Sequence, residues 1–141
     1  AGKAYQVLAR GSDTMWTSDP RFRTYVLAFE RNSATKLIDG FTYGPDLYTN
    51  AHYSGKKTFA HPARYDALAG RYETTIWGTP LLVRVVIVKG TLTFDGITPM
   101  VAQKDGSFIV ASSSVHFDMM AGGKAQRMWI DGGDLYRVDL P

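Results

Sequence analysis

The chain has 141 residues, 45% of them hydrophobic and 21% charged, which suits one or two small packed domains and excludes wholesale disorder. The net charge is +3 with no basic run longer than Lys56-Lys57, so a nucleic-acid footprint is not expected. Cysteine is absent, which excludes disulfides, thiolate metal sites and a cysteine nucleophile, and no apolar run is long enough for a membrane-spanning helix.

Aromatic residues reach 13% and glutamate occurs only at Glu30 and Glu73, a composition that favours strands over helices. Residues 1–50 read as a partial unit of about four strands. Tyr25 to Arg31 and Gly40 to Tyr43 are strand-like, with polar turn material, Asn32-Ser33-Ala34-Thr35, between them. Residues 51–64 (AHYSGKKTFAHPAR) read as a linker. Pro62 suits a first helical turn, Ala67 and Leu68 suit a helix, and Gly70 suits its end, so a short helix opens a second unit over 65–141. From Tyr72 onward, β-branched and aromatic segments follow one another: Tyr72 to Trp77, Leu81 to Val88, Thr91 to Phe94, Ser107 to Val110, Ser114 to Phe117, Ala125 to Ile130 and Leu135 to Val138. Lys89-Gly90, Asp95-Gly96, Asp105-Gly106, Gly122-Gly123 and Asp131-Gly132-Gly133 punctuate them as hairpin turns. A run of about eight strands joined by tight turns implies an all-β, antiparallel up-and-down sheet, and closing it into a barrel removes the exposed edges.

The two halves resemble each other. A shift of 88 residues lays Leu27-Ala28-Phe29-Glu30 over Val115-His116-Phe117-Asp118, Phe41 over Trp129, and Gly44-Pro45-Asp46-Leu47-Tyr48 over Gly132-Gly133-Asp134-Leu135-Tyr136, without a gap. Residues 1–50 then correspond to the last four strands of a copy, and residues 65–141 to a complete one. A four-stranded sheet keeps two open edges, so the first half needs a partner: the second unit, another copy of the chain, or other sequence.

The second unit carries Ala67-Leu68-Ala69-Gly70-Arg71-Tyr72, then Trp77, then Arg84-Val85-Val86-Ile87-Val88-Lys89-Gly90-Thr91-Leu92, then Asp105-Gly106-Ser107-Phe108, Val115-His116-Phe117-Asp118 and Asp134-Leu135-Tyr136-Arg137. This pattern resembles the lipocalin-like C-terminal β-barrel of serine hydrolases of the class C β-lactamase, D-aminopeptidase and esterase superfamily. The first half is similar to the back part of the same module, through Tyr25 to Arg31, Gly40 to Asp46, and Tyr48. The resemblance implies a non-catalytic accessory barrel that packs on a serine hydrolase catalytic domain, in the same or a separate chain, and shapes access to its cleft. It implies no cofactor and leans towards a bacterial periplasmic or other extracytoplasmic setting. A free-standing barrel that binds a small hydrophobic ligand is the alternative, as is a self-association module whose open strand edges pair with another copy.

The catalytic domains of that superfamily use Ser-x-x-Lys and Tyr-x-Asn, and this chain holds Ser33-Ala34-Thr35-Lys36 and Tyr48-Thr49-Asn50. The chemistry needs the serine at the start of a buried helix, with the lysine one turn later beside it. Here Ser33 falls in turn material, so the pair reads as a decoy and no catalytic residue is assigned. His52, His61 and His116 have no ligand spacing, and no metal site is expected. Glu30, Asp46, Asp118 and Asp134 recur between the copies and read as structural. An eight-stranded barrel either holds one small ligand or is filled by side chains. Tyr72, Trp77, Phe94, Phe108 and Trp129 are the residues placed to line such an interior. Arg84, alone in an apolar strand, either faces outward or pairs with an inward acid.

Overall fold

The computed structural model describes residues 3–138. It is all-β and antiparallel, in two compact units, Ala1–Phe59 and Ala60–Pro141.

The first unit is a sheet of five strands in sequence order, β1 (Val7–Ala9), β2 (Thr14–Thr17), β3 (Leu27–Arg31), β4 (Ile38–Tyr43) and β5 (Asp46–Thr49). This is one strand more than the four expected, because both flanks of the Arg10–Asp13 turn pair, with Leu8 opposite Trp16. A 3-10 turn at Pro20–Phe22 follows β2, and the Asp19 carboxylate caps it by accepting from the Arg21 backbone N–H at 3.0 Å. Phe22 and Tyr25 both pack edge-on against Tyr43, at 5.2 and 5.3 Å. Gly44 in the β4–β5 turn has φ +56°, and a Cβ there would meet the Tyr25 ring at 2.6 Å, so both backbone and packing require glycine.

The second unit begins with α1 (Arg64–Leu68), at the position expected for a helix. Among the described residues nine strands follow: β6 (Gly70–Ile76), β7 (Thr79–Val88), β8 (Thr91–Phe94), β9 (Thr98–Pro99), β10 (Val101–Ala102), β11 (Phe108–Val110), β12 (Ser113–Ala121), β13 (Lys124–Ile130) and β14 (Gly133–Arg137). Each pairs with the next except β9 with β10, and β14 returns to β6, with Tyr136 opposite Glu73 and Arg137 opposite Tyr72. β9 and β10 are two ends of one bent run on either side of Met100. The first end pairs with β8 and the second with β11, so the nearly closed barrel has about eight staves. Met100 is buried at the bend, and its N–H donates to Leu92 O at 2.8 Å.

Four connections are two-residue turns in which both residues have positive φ: Trp77-Gly78, Lys89-Gly90, Gly122-Gly123 and Asp131-Gly132. This is the primed turn that matches strand twist. Along each strand the inward residues alternate with outward ones. Tyr72, Val83, Val85, Leu92, Met100, Phe108, Val110, Val115, Met128 and Leu135 form one buried cluster, with Tyr65, Leu68, Ile87, Phe94, Phe117 and Ile130 packed against it. The barrel's centre is therefore hydrocarbon and aromatic ring, held by the apolar area withdrawn from water.

The two stretches 88 residues apart are each a strand–turn–strand–turn–strand, β3–β5 and β12–β14. Their registers agree where the first hairpin turns, since Arg31 faces Ile38 as Met119 would face Gln126. They part at a bulge between Glu30 and Arg31. Beyond it Phe29 faces Phe41, whereas Phe117 faces Met128 and leaves Trp129 opposite His116. One inserted position thus puts Phe41 and Trp129 on opposite sides relative to their neighbours.

Candidate functional site

Three of the five residues placed in the interior point there. Tyr72 and Phe108 are fully buried, and Phe94 is half-buried against the core. Trp77 does not: it is 99% exposed, with φ +50°, at the tip of the β6–β7 hairpin. β6 stops at Ile76, which pairs with Thr79, so Trp77 and Gly78 are the turn itself. Trp129 is the second correction. It lies between the inward Met128 and Ile130, so it faces outward, where its ring meets His116 edge-on at 5.4 Å. In each case strand propensity favoured an aromatic residue, and alternation or turn geometry decided its side.

Tyr72 belongs to a polar cluster that ties α1 to the end of the barrel. Its hydroxyl donates to Leu68 O at 2.7 Å and accepts from Arg137 Nη2 at 2.8 Å. Arg137 also donates from Nη1 to Ala69 O at 3.0 Å, from Nη2 to Ala67 O at 3.1 Å, and from Nε to Ala125 O at 2.6 Å. Its guanidinium lies over the Tyr72 ring, 5.0 Å from the centroid. Gly70 leaves the room for it, since a Cβ there would collide with Arg137 Nη1. Lys124 Nζ donates to Asp66 O at 2.7 Å, and Tyr65 packs against Phe108 at 6.0 Å. A five-residue helix is marginal alone, and here its carbonyls are held by side chains of β13 and β14. Burial pushes the Tyr72 phenol up to about 12, and the Arg137 charge opposes this in part. Sequence reasoning missed this cluster because Arg137 lies 65 to 70 residues from Tyr72, Ala69 and Ala67, with no local period to reveal the contact.

Ser33 and Lys36 lie in the loop between β3 and β4. The Asn32 side chain accepts from Ala34 N–H at 2.9 Å and from Thr35 N–H at 3.1 Å, and Lys36 adopts φ +61°. Ser33 is exposed and the loop is not helical. His61 Nε2 lies 3.0 Å from Asp66 Oδ1, and His116 Nε2 lies 3.2 Å from Ser114 Oγ. Among the described residues no group of three metal-ligating side chains converges. Asp118 is bound by both arms of Arg127, at 2.8 and 2.6 Å, and this pairing holds its carboxyl below the ordinary range. Arg84 lies on the side of β7 opposite the inward Val83 and Val85 and pairs across from Arg71; its Nε is buried without a hydrogen-bond partner, and its backbone N–H donates to Asp95 Oδ1 at 2.9 Å.

Among the described residues of the second unit, Trp77 at the tip of the β6–β7 hairpin is the most exposed large apolar side chain. Tyr72 pairs with Val83, Thr74 with Leu81, and Ile76 with Thr79, so Ile76 and Leu81 continue the inward side of β6 and β7 into solvent. The segment from Thr74 to Val83 holds no charged residue. A tryptophan in water, in a backbone conformation that disfavours it, brings no folding advantage to its own unit. Comparison with protein-family models, with curated proteins and with solved structures gave no match.

Proposed function

We propose that this chain is a non-catalytic accessory β-barrel module that docks on the catalytic domain of a serine hydrolase of the β-lactamase and D-aminopeptidase type and shapes access to its cleft. The observation that carries the reading is the Trp77 hairpin. The inward side chains form a packed core and α1 sits over one end, which favours action through the outer surface rather than a ligand cavity. Buried tryptophans dominate many protein interfaces, and Trp77 is free to be buried by a partner. The family assignment rests on the resemblance of the barrel motifs. The alternative of a small-ligand carrier is disfavoured by the large rings of Tyr72 and Phe108 inside the barrel.

Two assays test the reading. The purified chain should neither turn over a chromogenic cephalosporin or a D-alanyl anilide nor gain mass from a fluorophosphonate serine probe. An adduct on Ser33 overturns the non-catalytic assignment. A catalytic domain of this class supplied in trans should bind the chain, and Trp77→Ala should weaken binding by about tenfold or more. Equal binding by both forms removes the hairpin from the interface.

A further inference from the structure

The first unit presents a sheet edge whose geometry specifies its own partner. Among the described residues β5 pairs with β4 alone, so its other side is open there. Tyr43 and Asp46 flank the two-residue Gly44-Pro45 turn, which makes them a hydrogen-bonded pair. Such pairs recur at every second position. Phe41 and Tyr48 form the next, and Asn50 N–H donating to Asp39 O at 3.0 Å marks the one after. The N–H and C=O groups of Leu47 and Thr49 therefore point away from β4, towards the open side.

The side chains at this edge are ordered across the sheet. Phe29 faces Phe41, and Phe41 faces Tyr48, in register on three adjacent strands. The rings are 5.9 Å and then 4.8 Å apart, the second pair stacked at an interplanar angle of 13°. This aromatic ladder stops at Tyr48, which is 42% exposed. Proteins usually blunt an open edge with lysine, proline, a bulge or a covering loop. Asp46-Leu47-Tyr48-Thr49 has no lysine, proline or bulge, and its one charge lies at the turn end. β1, the opposite edge, has three residues and no aromatic ring.

We infer that β5 pairs antiparallel with β5 of a second copy of this chain, about a two-fold axis through Tyr48. The open groups fix that register. Leu47 of each copy faces Thr49 of the other, giving about four interchain backbone hydrogen bonds. Tyr48 then meets Tyr48 of the second copy as a non-hydrogen-bonded pair, the class with the closest side chains, and the ladder runs on through both sheets. Asp46 falls opposite Asn50, so no like charges face each other. The interface is small, and the dimer is reversible and concentration-dependent.

The test uses the full chain. Sedimentation equilibrium should show dimerisation as concentration rises. Leu47→Pro should abolish it with an unchanged far-UV circular dichroism spectrum, because it removes only an N–H that β4 does not use. As the chain has no cysteine, single substitutions read the register directly. Tyr48→Cys should oxidise to a covalent dimer, because a non-hydrogen-bonded pair meets disulfide geometry, and Thr49→Cys should not. A wild-type chain that stays monomeric through the sub-millimolar range overturns the inference. So does a dimer that persists in folded Leu47→Pro, or equal cross-linking of Tyr48→Cys and Thr49→Cys. The cysteine pair keeps the test decisive even where the proline variant fails to fold.

Discussion

Replacing Arg137 with methionine isolates the claim that one side chain fastens α1 to the barrel. Methionine keeps much of the hydrocarbon stem and removes the fork. Four hydrogen bonds disappear, to Ala67 O, Ala69 O, Ala125 O and the Tyr72 hydroxyl. Hydrogen bonds to charged groups are worth about 1.5–3 kcal/mol each when fully formed and buried. Arg137 is only partly buried, so water replaces some of them, and bonds that share one guanidinium are not additive. A net loss of about 1 kcal/mol from each of two carbonyls, plus about 1 kcal/mol from the contact over the Tyr72 ring, gives about 3 kcal/mol. For a unit of this size that lowers Tm by about 12–24 °C. Thermal unfolding followed at 222 nm measures it, and Arg137→Lys, which keeps the charge without the fork, should fall between. A Tm within about 3 °C of wild type would mean that the guanidinium does not fasten the helix.

Tyr72→Phe should cost about 1–2 kcal/mol through loss of the bonds to Leu68 O and Arg137, measured by guanidinium chloride unfolding. The same variant tests a pH dependence. Below pH 10 the Tyr72 phenol is protonated in both states and its contribution is intact. Between pH 10 and about 12 the unfolded chain ionises and the native one does not, so stability falls by no more than about 1.4 kcal/mol per unit. Wild type should show this extra slope and Tyr72→Phe should lack it; equal slopes contradict the assignment. Trp77→Asn should raise stability by about 0.5–1 kcal/mol, since asparagine tolerates positive φ and no burial is lost. A loss of stability would show that the indole is buried within the chain. The carboxyl of Asp118 should titrate below the usual aspartate range by NMR and return to it in Arg127→Gln, so its contribution to stability is lost only as pH falls through that lowered value.

The turns were the most legible part of the sequence. Lys89-Gly90, Gly122-Gly123 and Asp131-Gly132 each close a hairpin, because few residue pairs accept positive φ twice in succession. The end of β7 at Val88 and the position of α1 were legible for similar local reasons, whereas β7 begins at Thr79, two residues before the expected Leu81. The bend at Met100 was not, because its two short arms pair with different strands and neither has a local signature. Trp77 was misplaced because a tryptophan beside a β-branched run reads as strand, and the glycine after it was the signal for a turn. Trp129 was misplaced although alternation with Met128 and Ile130 marks it as outward. The Arg137–Tyr72 cluster is a product of closure, which joins the first stave to the last, and no window of the sequence contains both.

A barrel interior occupied by its own side chains leaves the outer surface to act. Titration of the isotope-labelled chain with dodecanoate, followed by 15N–1H spectra, tests that directly. No saturable shift is expected at Tyr72, Phe94 or Phe108. Saturable shifts confined to those inward positions, with a rise in Tm, would show a ligand cavity in place of a filled interior.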